Sequence, residues 1–201
     1  MWATTPFTRL ENLFVTGGWI VGILLLVSVI MWALILNRAL LFRQFSTGNM
    51  TREEAAQFSH DQVLPSKQTY RGLTTKFVHH YVERATSDQP TNEAILDEVT
   101  LKLVRSLDYY TSIIGILATI APLLGLLGTV LGMITTFEVI SNFGTGNAQR
   151  MSSGISEALI TTEIGLLVAI PGLYMHHLLA ERARKLKTQI ASLGVYLKRY
   201  V

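Results

Sequence analysis

The sequence predicts an all-α membrane protein with three transmembrane helices, the second and third of which extend beyond the membrane. Two observations carry this. The 201 residues are 49 % hydrophobic and only 15 % charged, against roughly 25 % charged in soluble domains. The apolar residues are also bunched into three long runs, which a soluble core does not require, and the mean hydropathy is +0.36. There is no cysteine, so disulfides, thiolate metal sites and thiol nucleophiles are all excluded.

The first span is set at residues 19–42, after an N-terminal segment 1–18. Its core, Trp19 to Leu36, is uncharged and close to the ~20 residues needed to cross ~30 Å of hydrocarbon. Trp19 and Trp32 suit interfacial anchoring, with Arg38 and Arg43 placed to snorkel beyond. A cleaved signal peptide fits poorly, because Arg9 is offset by Glu11 and no small-residue cleavage site follows. The second span, 112–140, is apolar but carries Gly125, Gly128 and Gly132. In a membrane such glycines let helix backbones approach closely. The third span, 151–180, holds Glu157, Thr161, Thr162, Glu163 and Pro171 among its apolar residues. The outer loop 141–150 is turn chemistry and too short for a binding domain.

Fifteen of the 17 Lys and Arg residues fall in the segment from Arg38 to Tyr110 or in the tail. The positive-inside rule therefore places the N-terminus outside and the tail in the cytoplasm. The net charge of +3 follows from this placement and calls for no nucleic acid.

The cytoplasmic insert, 43–111, is helical. Thr51 to Glu54 forms a capping-box pattern, and a second helix is expected from Gln68 to Thr86, stopped at the turn cluster 87–90. Leu96, Val99, Leu103 and Leu107 recur at helical spacing and run without a breaker into the second span. One helix is thus expected from about Asn92 to Ile140, projecting roughly 25 to 30 Å into the cytoplasm. In the tail, 181–201, Leu179, Ala183, Leu186, Ile190, Leu193 and Leu197 share a stripe. Such a stripe packs on a partner helix, or alternatively lies on anionic lipid.

An ionisable side chain in the bilayer normally faces a cavity or a partner. Glu157 and Glu163 are candidates on that ground. The plainer alternatives are an interfacial position for Glu157 and a protonated, hydrogen-bonded carboxyl for Glu163. Pro122, Gly125, Thr129, Gly132 and Thr136 make a stripe of small and hydroxyl-bearing residues on the second span. A helix lining a multi-subunit ring exposes such a wide polar arc. The adjacent pairs His79-His80 and His176-His177 lack the i, i+4 spacing of a helical metal site. No catalytic nucleophile, metal cluster or cofactor loop is apparent, so no enzyme and no cofactor is expected.

The stretches Ala118-Thr-Ile-Ala-Pro-Leu-Leu-Gly-Leu-Leu-Gly-Thr-Val-Leu-Gly-Met133 and Gly154-Ile-Ser-Glu-Ala-Leu-Ile-Thr-Thr-Glu-Ile-Gly-Leu-Leu-Val-Ala-Ile-Pro-Gly172 resemble the MotA/TolQ/ExbB proton channel family, closest to its ExbB branch. The resemblance implies a homopentameric, ring-forming oligomer in a Gram-negative inner membrane. The ring would enclose the single spans of an ExbD-like partner dimer and energise a TonB-like protein for outer-membrane uptake of iron-siderophore, haem or vitamin. It implies a proton pathway lined by Thr129, Thr162 and Glu157; Glu163 and Thr136 are added from the residues themselves, and Glu163 departs from the small residue the family carries there. Gly125, Gly128, Gly132, Pro122 and Pro171 are expected to pack helices. A TolQ-like role in envelope integrity, or a passive membrane scaffold, remains the alternative.

Overall fold

The computed structural model describes residues 17–46, 50–61, 63–65, 72–86, 88–144 and 148–200. The N-terminal segment up to residue 16 and the loop residues 145–147 lie outside these. Among the described residues there are five helices and no strand: α1 (Gly18–Ser46), α2 (Arg52–His60), α3 (Leu73–Val82), α4 (Gln89–Phe143) and α5 (Ala148–Leu197). Three of them, α1, α4 and α5, are long and apolar enough to cross a membrane. The chain divides into two compact units, one of Met1–Leu34 with Ile114–His176, the other of Ile35–Ile113 with His177–Val201.

In the first unit, α4 and α5 meet along a seam of small residues. On α4 the seam positions, all buried, are Ile114, Ala118, Ala121, Gly125, Gly128, Gly132 and Thr136; on α5 they are Gly154, Ala158, Thr161, Gly165, Val168 and Gly172, and Ala169 beside Val168 is buried as well. Both sets step by alternating fours and threes, apart from one repeated four before Thr136, which is the 3.5-residue period of a two-helix seam. The approach is backbone to backbone. A Cβ on Gly125 would stand 2.9 Å from the carbonyl oxygen of Thr161, one on Gly165 2.9 Å from that of Ala121, and one on Gly132 2.8 Å from that of Gly154. Lipid tails are as apolar as leucine, so burial alone does not drive helices together there, and dispersion at close range takes over. Helix α1 joins the seam at Gly172, whose Cα faces Met31. The outward faces stay apolar: Val29, Leu123, Val130, Leu167 and Ile170 are all exposed.

In the second unit the same register continues with large residues. Leu179, Ala183, Leu186, Ile190, Leu193 and Leu197 on α5 are buried, as are Leu96, Val99, Leu103 and Leu107 on α4. Of the two readings of the tail stripe, the structure takes helix packing. Phe77, Val78 and Tyr81 of α3 complete this core, and Gly194 leaves room for Thr100 and the Phe77 ring. Ion pairs rim it: Lys198 to Asp97 at 2.7 Å, Arg84 to Glu98 at 2.7 Å, and Lys187 to Asp108. The two hydrogen bonds from Arg84 hold the Glu98 carboxyl below the usual carboxylate range.

Local expectations fare unevenly. Thr51 accepts from the Glu54 N–H at 3.2 Å and the Glu54 carboxylate accepts from the Thr51 N–H at 2.8 Å, which is the capping box. The second insert helix ends at Val82, not Thr86. Thr86 is drawn off by Asn92, whose amide oxygen accepts from the Thr86 N–H at 2.8 Å and whose amide nitrogen donates to the Thr86 carbonyl at 2.8 Å. Asp88 then accepts from the Thr91 N–H at 3.3 Å, and α4 starts three residues earlier than expected, at Gln89, with Pro90 in its first turn, where a missing N–H costs nothing. Arg38 does not snorkel. It is buried, donates through Nη2 to the carbonyls of Ser106 and Leu107, and lies over the rings of Phe42 and Tyr110 at 5.3 and 4.9 Å.

Three substitutions test these cores. Gly128→Val places a methyl group into the Thr161 side chain and lowers stability by about 1–3 kcal/mol, whereas Gly22→Ala, with nothing within 4 Å of the new Cβ, leaves it unchanged. Thermal unfolding in detergent distinguishes them. Phe77→Ala in the second unit costs about 3–5 kcal/mol, read as an earlier loss of amide protection in residues 73–82.

Candidate functional site

The polar side chains of the spans are sorted by their offset from the seam. Thr161 and Thr136 lie in it. Thr161 is 1 % exposed, presses on Gly128 and donates to the Ala158 carbonyl at 2.8 Å. Thr136 is 3 % exposed, faces Gly154 and donates to the Gly132 carbonyl at 2.9 Å. Thr136, expected to line the pore, stands in the single chain as a seam residue. Its hydroxyl is satisfied one turn back, and the 3.5 period carries the seam through position 136.

Thr129 and Thr162 stand one position after seam residues Gly128 and Thr161. The helices run antiparallel, so a turn of 100° from the seam carries both threonines to the same flank. The Thr162 hydroxyl donates across the helix pair to the Gly125 carbonyl at 3.3 Å, and Thr129 is one turn beyond Gly125 on α4. Its own hydroxyl donates to the Leu126 carbonyl at 2.6 Å. Both are half-buried. Each offers its hydroxyl oxygen as an acceptor on this flank, since a hydroxyl with a donated proton retains lone pairs.

Glu157 stands one position before the seam residue Ala158 and so falls on the other flank. There its carboxyl abuts Gly18 at the start of α1. Gly18 has φ +64°, a left-handed conformation that favours glycine, and a Cβ there would overlap the carboxylate. A helix N-terminus carries free N–H groups and partial positive charge, which suits a carboxylate. One chain thus does not bring Glu157 together with the two threonines.

Glu163 lies two positions past Thr161, facing away from α4. It is exposed and shares its face with Leu159, Leu166, Leu167 and Ile170, all exposed. A carboxyl amid such residues needs a further partner or a wet surface, because hydrocarbon does not solvate it.

Of the five residues expected to pack helices, Gly125, Gly128 and Gly132 lie in the seam. Pro122 and Pro171 are half-buried within α4 and α5, each one position off it; Ala121 and Gly172 occupy the contact instead, because the proline ring is bulkier than a close backbone approach tolerates. Sequence reasoning named Thr161 without giving it a role and singled out none of Gly154, Gly165 and Gly18. Thr161, Gly154 and Gly165 are legible as the heptad series through Gly172. Gly18 has no local signal, since its partner is 139 residues away in the chain.

The profile of the MotA/TolQ/ExbB proton channel family matches residues 66–192, which covers both threonines, both carboxyls and the whole α4–α5 seam. A biopolymer transport protein ExbB from Pseudomonas putida is 29 % identical over 181 residues, 84 % of this chain and 54 % of its own length. The chain therefore spans about half the length of that relative. Salmonella typhimurium ExbB is 27 % identical over 184 residues, 85 % of this chain and 74 % of its own. A Tol-Pal system protein TolQ from Haemophilus influenzae is 33 % identical over 84 residues, 42 % of this chain and 37 % of its own. With three apolar helices of spanning length and a family profile over most of its length, the chain is a multi-pass membrane protein and a member of the MotA/TolQ/ExbB proton channel family.

Proposed function

We propose that the chain is an ExbB-like subunit of a motor driven by the proton motive force across a bacterial inner membrane, with its N-terminus periplasmic and its tail cytoplasmic. Five copies form a ring around the single spans of an ExbD-like partner dimer, and the assembly energises a TonB-like protein for outer-membrane nutrient uptake. The observation that supports this reading is the shared flank of Thr129 and Thr162. Two hydroxyl oxygens on one side of a tightly closed helix pair offer a partner's carboxyl a hydrogen-bonding surface at membrane depth, and five copies offer it at equivalent stations.

In this reading protons cross at the flank bearing Thr129 and Thr162 as the partner's carboxyl charges and neutralises. The rigid α4–α5 seam keeps the hydroxyls at fixed height. Glu157 couples the wall to the start of α1, and Glu163 supplies an additional carboxyl where neighbouring subunits cover its face. Each charge moving through 100 mV releases ~2.3 kcal/mol, enough for a local switch, with larger motions requiring several protons. The TolQ relative favours one other reading, a TolQ-like role in envelope integrity, which the identity of the neighbouring partner genes separates from nutrient uptake.

Thr162→Ala and Glu157→Gln are expected to abolish energy-dependent uptake while the complex with the partner is still recovered intact; unchanged uptake in both variants overturns the pathway, and recovery of proton-tight complexes from the unmodified chain points to a passive scaffold. In liposomes reconstituted with the partner, Glu163→Gln lowers proton flux several-fold and Glu163→Asp restores most of it. Equal flux in all three forms removes Glu163 from the pathway.

A further inference from the structure

We propose that a cleft in the second unit, between the end of α1 and the part of α5 that follows the third span, binds the headgroup of an anionic phospholipid. The cleft has a volume of ≈ 760 Å³ and is lined by Leu40, Phe42 and Arg43 of α1 and by Arg182, Lys185 and Gln189 of α5. That volume is within the ~300–1,000 Å³ of small-molecule sites.

Its charge is one-sided. Three cations line it and no Asp or Glu does. Other cations of the tail have carboxylates: Arg184 pairs with Glu181, Lys187 with Asp108 and Lys198 with Asp97. Arg182 and Lys185 have none among the described residues. Both side chains are exposed, so the cleft holds two unneutralised cations beside the Arg43 guanidinium, and like charges held this close are favoured when an anion sits among them.

Its depth selects the anion. The first span ends at residue 42 and the third at residue 180, so Arg43, Arg182 and Lys185 stand within five residues of where their helices leave the hydrocarbon. That is the level of the lipid phosphates, and basic pockets between spanning helices at this level recognise acidic headgroups. The wall is amphiphilic in the same sense. Leu40 is 60 % exposed on the hydrocarbon side of the cations and provides apolar surface for the glycerol and upper acyl chains, a contact that free phosphate has no means to use. Gln189, one turn beyond Lys185, adds an amide donor on the aqueous side.

The test is native mass spectrometry of the full chain released from nanodiscs of mixed phosphatidylglycerol and phosphatidylcholine. The unmodified protein is expected to retain phosphatidylglycerol in preference to phosphatidylcholine. The pair Arg182→Gln with Lys185→Gln should lower that retention on the order of thirty-fold, at about 1 kcal/mol per cation, while Arg182→Lys with Lys185→Arg keeps it and Arg105→Gln, outside the cleft, has no effect. Thermal unfolding in phosphatidylcholine alone should be the same for all forms, because the substituted side chains are exposed. Equal retention of the two lipids, or undiminished retention in the double Gln variant, overturns the proposal. So does displacement of the lipid by millimolar inorganic phosphate, which would make the ligand a soluble anion.

Discussion

The contact on which the structure depends is the backbone-to-backbone closure of α4 on α5. It is made by the absence of side chains: Gly125, Gly165 and Gly132 each meet a carbonyl or Cα of the other helix. In water these glycines would weaken both helices by roughly 1 kcal/mol each relative to alanine. In the spans that penalty is offset by dispersion and by weak Cα–H contacts to facing carbonyls at short range. Everything functional is placed by this closure. Thr129 and Thr162 reach one flank because each is one residue past a seam position, and Glu157 reaches the other because it is one residue before.

The second unit solves the same geometric problem with different chemistry. Apart from Ala183 its seam positions are leucine, isoleucine and valine, whose burial from water is worth about 1.5–3 kcal/mol per side chain. The exposed pairs at its rim contribute little individually. The buried Arg38 is the exception, a charge held through Nη2 by two backbone carbonyls and by two aromatic faces in place of a carboxylate, while its Nε is buried without a hydrogen-bond partner among the described residues. A residue of that kind, deleted alone, would leave carbonyls and rings packed around a void. The two units therefore share one register along α4 and α5 while differing in what drives the helices together: close approach of small residues in one, exclusion of water from large residues in the other.

Much of this is legible in the sequence. The three spans, the continuous second and third helices, the capping box at Thr51 and the leucine stripe of the tail all follow from hydropathy and period, which are properties of one helix at a time. What escaped is pairwise. The contact of Thr136 with Gly154 is invisible along one helix, and Arg38 reads as snorkelling until Ser106 and Leu107 are brought beneath it. Thr86 looks like the end of a helix until Asn92 claims both its backbone groups. For Glu157, nothing local announced Gly18. The family resemblance named Thr129, Thr162 and Glu157 together; the structure shows that within one chain they divide between two flanks, which is information about three dimensions that a motif does not carry.

The unbroken register also bears on how such a chain can change length over time. Each residue inserted into α4 or α5 turns everything beyond it by about 100°, taking glycines out of the seam and driving leucines or the proline rings into it. Only steps close to whole turns, combined in sevens, restore the match. Insertions and deletions are thereby confined to the connections between helices and to the chain ends, and the helix pair evolves by substitution alone. A protein built on a seam of missing side chains is tolerant of new domains at its margins and intolerant of a single extra residue at its centre.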